Sequence, residues 1–364
     1  MSLIVAGGGT GGHLFPGVAV ARELMARVPG AAVTFVGTAA GIEARVIPRE
    51  GLTLETIRSA GLKGKSPVAL LRGLLLLPLS ALDAWRVISR RRPSVVIGVG
   101  GYSSGPVVAL AALRGVPTLL MEQNATPGLT NRLLSRLVRA AAVTYEESLA
   151  TFGSKAFVAG NPVRPEFFAP LPDAPAAASG RPRVLVFGGS QGAHAINVAM
   201  VQAAAALAAA PGVEVTHQTG ERDVAMVREA YAAARLAARV EPFLYEMDRE
   251  MRAADVIVCR AGATTLAELT AAGRAAILIP LPTATDDHQR RNADALVRQG
   301  AARVIDQREL TGARLADEIV GLARDAAARA RMALAARGMA RPDAARVIVD
   351  RVLALAGDRS GAHL

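Results

Sequence analysis

Two α/β domains, each built on a parallel sheet of the Rossmann-like kind, are predicted by three observations on the 364-residue sequence. Short β-branched apolar runs alternate with helix-length segments throughout, the pattern of βαβ crossovers. A strand that runs into small residues and then a helix occurs twice, as LIVAGGGTGGHLFP near the start and VLVFGGSQGAHAIN past the middle. Between these, Asn161–Arg183 carries six prolines and no periodic apolar pattern, which is a linker composition. The chain also exceeds the length that one ordinary core serves.

The elements follow in order. The strands LIVA, AVTFVG, SVVIGVG, PTLLME and AFVAG are read in the first half, and VLVFGG, EVTHQTG, RVEPFL, DVIVCRAG and AAILIPLP in the second. Their near-continuous apolarity suits sheets covered on both faces. Residues 1–164 form the first expected domain and 165–340 the second. Residues 341–364 contain a terminal helix, PDAARVIVDRVLALAG, for which a return to the first domain is one option.

Composition narrows the class. The chain is 51% hydrophobic and 4% aromatic, which suits a soluble globular protein and not a disordered one. The single cysteine, Cys259, excludes an intramolecular disulfide, favours a reducing compartment, and reads as inert packing on a buried strand. No Cys/His cluster has metal-ligand spacing. The first residues lack the basic region and cleavage site of a signal peptide. The formal charge of +11 calls for an anionic partner. Lys63, Lys65, Arg72, Arg86, Arg90, Arg91 and Arg92, set against Asp83 alone, concentrate about half of it in one stretch.

Ligands of open parallel sheets bind beyond the carboxyl ends of the strands. Seven unusual stretches stand at such ends: GGGTGGH, GGYSSGP, EQNATPG, NPVR, GGSQGA, RAGATTLAE and TATDDHQRRN. All seven are expected to face one central cleft. Five glycines within Gly7–Gly12 cost helix or strand stability, about 1 kcal/mol each, unless a tight turn or an anion requires them. Gly7, Gly9 and Gly12 also fit G-x-G-x-x-G. A nicotinamide site would want an acid at the end of the second strand, where Gly37 and Thr38 stand instead.

In this order the seven stretches closely resemble the MurG family of peptidoglycan-synthesis N-acetylglucosaminyltransferases, from Leu3 to about Ala302. The resemblance implies a GT-B fold, with the acceptor on the first domain and the nucleotide-sugar donor on the second. It implies inverting transfer of N-acetylglucosamine from UDP-GlcNAc to the C4 hydroxyl of the muramyl sugar of undecaprenyl-pyrophosphoryl-MurNAc-pentapeptide (lipid I), giving lipid II. No cofactor or metal is expected. UDP-GlcNAc, lipid I and the anionic inner leaflet are the expected partners, with room for other cell-wall synthesis proteins and none for nucleic acid. Peripheral attachment to the cytoplasmic face of the cell membrane follows.

The residues can be read physically beside that resemblance. N–H groups of Thr10, Gly11 and Gly12 at a helix start suit the acceptor diphosphate, and Gly100 and Gly101 serve the same group. The alternative is tight turns for packing alone. His13 takes the proton of the attacking hydroxyl, contacts a substrate phosphate, or caps its own helix. Ser190 and Gln191, after Gly188 and Gly189, repeat the phosphate cradle for the donor. Arg164, and second to it Arg260, supply a cation for the departing diphosphate.

Thr265-x-x-Glu268 spells a capping box. The resemblance instead gives Glu268 to the ribose hydroxyls of UDP, and sets Ala263, Thr264, Thr265, Leu266 and Ala267 around the donor. It places the Leu244 backbone at the uracil edge, and His288 and Gln289 at the sugar hydroxyls. Asp286-Asp287-His288 leaves metal ligation as the competing reading. Asn124 orients a substrate sugar or forms an Asx turn before Pro127, and Thr10, Gly11 and Gly12 are placed with the donor as well. Met121 and Ala261 depart from the histidine and serine usual in the family, which touches fine contacts and not the reaction.

The uninterrupted apolar core of SPVALLRGLLLLPLSALDAWRVISRRRP is too short to span a bilayer, which takes about 20 apolar residues, and Arg72 and Pro78 interrupt it. Leucines beside arginines, with the only tryptophan, suit a helix lying in the interface, and Leu75, Leu79, Trp85 and Arg86 are the expected membrane contacts. A buried helix with a solvated basic end is the competing reading. Nucleic-acid binding would rest on charge alone, without stacking aromatics. Related transferases that glycosylate other lipids share the fold, and the EQN and GGYSSGP stretches argue against them.

Overall fold

The computed structural model describes residues 1–60, 67–169, 180–189, 192–209 and 212–361, with backbone alone for 67–75, 285 and 358–361. The chain divides into two compact units, Met1–Val163 with Arg341–Leu364, and Arg164–Ala340.

The first unit holds seven strands, all parallel, in the order β3-β2-β1-β4-β5-β6-β7. They are β1 Ser2–Gly7, β2 Ala32–Gly37, β3 Thr53–Thr56, β4 Val95–Gly100, β5 Thr118–Glu122, β6 Ala140–Val143 and β7 Ala156–Val158. Strands β1, β4, β5 and β6 are buried along their whole length apart from Ser2, as sheets covered on both faces require. Six helices connect them: α1 Gly11–Arg27, α2 Glu43–Arg49, α3 Pro67–Arg91, α4 Ser104–Leu113, α5 Leu129–Leu134 and α6 Leu149–Phe152. Leu14, Val18, Ala21 and Leu24 of α1 pack with Val5, Phe35 and Ile97 on one face. Ala84, Val87 and Ile88 of α3, Val107, Val108 and Ala111 of α4, and Leu134 pack with Ile4, Val96 and Leu120 on the other.

The second unit repeats the plan with six parallel strands in the order β10-β9-β8-β11-β12-β13. They are β8 Arg183–Phe187, β9 Glu214–Gln218, β10 Ala238–Glu241, β11 Val256–Cys259, β12 Ala275–Leu278 and β13 Arg303–Val304. Its helices are α7 His194–Ala209, α8 Val224–Ala233, α9 Met247–Ala253, α10 Ala263–Ala272, α11 His288–Arg298, α12 Gly312–Arg324 and α13 Ala326–Met339. Val184, Val186, Val256, Val258 and Ile277 bury one sheet face against α7, α8, α12 and α13.

The last helix, α14 Ala344–Gly361, belongs to the first unit. Ile348, Val349, Val352 and Leu355 enter the α1 core, and Arg27 anchors the helix through Asp350 at 2.7 Å. Fully burying each such aliphatic side chain contributes about 1.5–3 kcal/mol, so α14 is integral to that core.

Strands β3, β6 and β13 are absent from the sequence-based assignment. TLET is a short edge strand, AAAV is three alanines with a single β-branched residue, and a two-residue strand has no pattern to read.

Candidate active site

In the first unit the glycine loop after β1 meets the glycine loop after β4, backbone to backbone. A Cβ on Gly7 would lie 2.3 Å from the Gly100 carbonyl oxygen, and one on Gly101 2.5 Å from that of Gly8. Both glycines have positive φ. Close packing of two loops therefore accounts for Gly7 and Gly101, while Gly11 and Gly12 open α1 as its first two residues. Thr10 is the N-cap, extended and exposed, and its hydroxyl makes no capping bond. Its carbonyl accepts from the N–H groups of His13 and Leu14 at 3.3 and 3.2 Å.

Glu43, at the start of α2 and 1% exposed, is a residue sequence reasoning missed. Its carboxylate accepts from Gly9 N–H at 2.8 Å, Thr38 N–H at 2.8 Å and the Thr38 hydroxyl at 3.1 Å. An acid thus does stand beside the end of β2. It is already engaged with the chain's own backbone, not offered to a ribose.

His13 follows on α1, with Nδ1 3.2 Å from Gln123 Oε1. Glu122, buried at the end of β5, organises the next loop. It accepts from Asn124 N–H at 3.0 Å, Asn124 Nδ2 at 3.2 Å, Gly128 N–H at 3.0 Å and Asn131 Nδ2 at 2.9 Å. The backbone N–H and the side-chain nitrogen of Asn124 are therefore both held by Glu122. A carboxylate followed at +2, +6 and +9 by donors is the signal that could have found this cluster.

In the second unit, Ser190 and Gln191 lie outside the described residues. The adjoining loop is set by Gly192, where a Cβ would meet the Thr219 carbonyl oxygen at 1.8 Å. Gln218, also missed from sequence, ties two loops together. Its Nε2 donates to the Gly189 carbonyl at 2.8 Å and its Oε1 accepts from Leu244 N–H at 2.8 Å. Leu244 thus has its N–H engaged and keeps its carbonyl.

Helix α10 starts after Gly262, so Thr265 is its third residue and Glu268 its sixth. No capping box forms. Ala263 and Thr264 occupy the first two positions, Leu266 is buried, and Ala267 is half-buried beside Glu268. Burial pushes the Glu268 carboxyl up to about 7, Arg164 pulls it down, and Asp248 raises it further. Arg164 itself is exposed, with its guanidinium 5.2 Å from the Phe167 ring. A positive group therefore stands in the same electrostatic neighbourhood as a carboxylate that resists ionisation.

Arg260 is differently used. It donates to the carbonyls of Ile279 and Pro280 at 3.0 and 3.3 Å and to Gln307 Oε1 at 2.7 Å. Burial lowers its pKa. It braces the loops after β11 and β12. Gln289 Oε1 accepts from Ala261 N–H at 3.3 Å and Leu281 N–H at 3.0 Å, which leaves the amide nitrogen as the group to offer a ligand. His288 opens α11 beside it, after Asp286 and Asp287, which both adopt left-handed φ near 55°. Such residues carry roughly 1–3 kcal/mol of strain each. Among the described residues, no group of three or more His, Cys, Asp or Glu is placed to hold a metal ion.

The side chain of Leu75 lies outside the described residues. Further along α3, Leu77, Leu79, Leu82 and Trp85 are exposed, Trp85 by 49%. Arg86 is exposed on the same helix, and the Arg114 guanidinium lies 4.2 Å over the Trp85 ring. Among the described residues, no helix is long and apolar enough to cross a membrane.

Comparison with known proteins places both units. Residues 3–143 match the Glycosyltransferase family 28 N-terminal domain and residues 183–348 the Glycosyltransferase family 28 C-terminal domain. A UDP-N-acetylglucosamine--N-acetylmuramyl-(pentapeptide) pyrophosphoryl-undecaprenol N-acetylglucosamine transferase of Anaeromyxobacter sp. (strain K) is 47% identical over 363 residues, covering 99% of this chain and 94% of that protein. Its counterpart in Pelobacter propionicus is 48% identical over 375 residues, covering 97% and 99%. The crystal structure of Acinetobacter baumannii MurG superposes with a TM-score of 0.79 at 32% identity, covering 97% of this chain and 99% of that one. The calicheamicin glycosyltransferase CalG4, at 16% identity and a TM-score of 0.69 over 98% of both chains, shares the fold.

Proposed function

We propose residue roles for a chain that belongs to glycosyltransferase family 28 and, within it, to the MurG transferases. Its fold is GT-B and its reaction is transfer of N-acetylglucosamine from UDP-GlcNAc to lipid I, forming lipid II of peptidoglycan synthesis. The observation that carries the residue-level reading is Glu268, a half-buried carboxylate on the helix that opens with Ala263–Thr265 and electrostatically coupled to Arg164.

Glu268 accepts the two ribose hydroxyls of UDP, and the Leu244 carbonyl accepts from the uracil N3–H. The N–H groups at the start of α10, with Ser190 and Gln191, hold the diphosphate. Arg164 neutralises the charge that grows there as the glycosidic bond breaks. The Gln289 amide nitrogen and His288 position the sugar, so no step in this reading calls for a metal. On the first unit, Gly11, Gly12, Gly100 and Gly101 receive the acceptor diphosphate. The C4 hydroxyl oxygen attacks the anomeric carbon, the C1–O bond to UDP breaks with its electrons moving onto the diphosphate, and the anomeric configuration inverts. The hydroxyl proton passes to His13. The exposed α3 leucines and Trp85 hold the enzyme on the anionic cytoplasmic face of the membrane, where the lipid acceptor resides.

UDP release from UDP-GlcNAc and a short-chain lipid I analogue, with EDTA present, tests this reading. Turnover is expected to require the acceptor, survive EDTA and fall sharply with UDP-glucose. Turnover abolished by EDTA and restored by a divalent cation would reject the assignment of leaving-group stabilisation to Arg164 and the helix termini.

A further inference from the structure

We infer that Gln123 is a positioning residue that fixes which nitrogen of His13 carries the proton, an inference that rests on the reading of His13 as the base. Gln123 follows β5 directly and is 2% exposed. One end of its amide is 3.1 Å from the Val99 carbonyl oxygen. A carbonyl has no proton to give, so that end is the NH2 group. The other end is then the oxygen, which only accepts, and it lies 3.2 Å from His13 Nδ1. Nδ1 must donate and therefore carries the hydrogen, and in the neutral ring Nε2 holds the free lone pair.

The ring is pressed into this contact by the adjoining glycine loop. A Cβ on Gly100, which has φ of +97°, would lie 2.9 Å from His13 Nδ1 and 3.0 Å from Cε1. Only a bare backbone at that position lets the imidazole reach Gln123. Three elements thus converge on one ring edge: α1 carries the histidine, the end of β4 makes room for it, and the residue after β5 orients it.

The consequence for the reaction is a defined proton path. As the C4 oxygen bonds to the anomeric carbon and UDP departs, the hydroxyl O–H bond breaks and the proton joins the Nε2 lone pair. The resulting imidazolium keeps its Nδ1–H bond to Gln123, and loses the added proton to water after product release. Free histidine in water favours the opposite tautomer, in which Nε2 is protonated and has no lone pair for the hydroxyl. Gln123 selects the reactive form without placing a charge beside it. This is a role distinct from contact with substrate.

The experiment is long-range 1H–15N correlation NMR of the full chain with 15N-labelled histidine. There are five histidines, and His13 is assigned by the signal lost in His13→Ala. The expected pattern is a protonated Nδ1 and an unprotonated Nε2, and a ring protonated at Nε2 alone would overturn the inference without any need of a variant. Gln123→Leu should shift His13 toward the Nε2–H form and lower kcat by about 10²-fold, leaving the KM for UDP-GlcNAc within about twofold. Gln123→Glu keeps an oxygen that accepts from Nδ1–H but sets its other oxygen against the Val99 carbonyl, and should restore the tautomer with only part of kcat. A Gln123→Leu protein whose tautomer and kcat stay unchanged rejects the positioning role. Wild-type tautomer as expected, with full turnover in His13→Ala, rejects the base reading and leaves the tautomer assignment standing.

Discussion

Glu268 is half-buried on α10, where desolvation favours its neutral form and the proposed ribose contact favours its charged one. Its carboxyl is pushed up to about 7 by burial, so near neutral pH the unliganded protein holds it only partly ionised. The folded pKa lies above the ordinary value of 4.5. The group's contribution to stability is thus fully present below pH 4.5 and is lost as the pH rises through about 7. Glu268→Gln removes that loss. Its stability should exceed the wild type's at pH 8 by on the order of 1–3 kcal/mol, with the gap shrinking toward pH 5. Binding should move the other way. Two charge-assisted hydrogen bonds from ribose are lost, and UDP affinity at pH 8 should fall by roughly 10- to 100-fold. Thermal melts and calorimetric titrations at the two pH values decide this together. A variant that gains stability and binds UDP normally would show that Glu268 does not touch the ribose.

The loops that leave the strand ends are held by struts within their own unit, and these struts set the limit of what the sequence made legible. Glu43 is one. Its carboxylate takes N–H groups from Gly9 and Thr38 together, whereas an amide would offer one of them a second donor. Glu43→Gln should raise the KM for the lipid acceptor about tenfold through a displaced glycine loop and cost roughly 1–3 kcal/mol of stability. The KM for UDP-GlcNAc should move little; equal change in both would mean general loosening and not loop placement. The strands that carry the loops were readable because β-branched residues buried on both faces leave a continuous pattern. The loops were readable because glycine runs and polar clusters follow such strands directly. Glu43 and Gln218 left no such mark. One lies six residues beyond a strand, the other at the end of one, and each acquires meaning only when two loops distant in sequence meet. The Thr265/Glu268 pair erred the opposite way. Its spacing spells a cap, but the helix starts at Ala263, two residues before Thr265, and places both residues inside.

At the scale of the whole molecule, a charge of +11 suggests electrostatic attachment to an anionic membrane, yet ion pairing weakens that reading around α3. Glu55 accepts from both Arg90 and Arg91. Asp83 pairs with Arg58 at 2.7 Å and stands 3.9 Å from Arg86. A cation near an anionic surface contributes about 1 kcal/mol, and each one already paired within the protein contributes less. On the proposed reading, the apolar outer face of Leu77, Leu79, Leu82 and Trp85 then supplies much of the attachment, at about 25 cal/mol per Å2 transferred. Because Trp85 is the only tryptophan, its emission reports directly on that face. On vesicles containing anionic lipid it should shift to the blue, and sedimentation with them should persist at 0.5 M NaCl more strongly than free cations would allow, since the Debye length then falls to roughly 4 Å. Leu79→Glu should reduce vesicle binding by about tenfold and leave turnover of a water-soluble acceptor analogue unchanged. Binding lost in salt but indifferent to Leu79→Glu would assign attachment to the basic residues alone. An unshifted Trp85 on fully bound protein would move the membrane contact to another surface of the first unit.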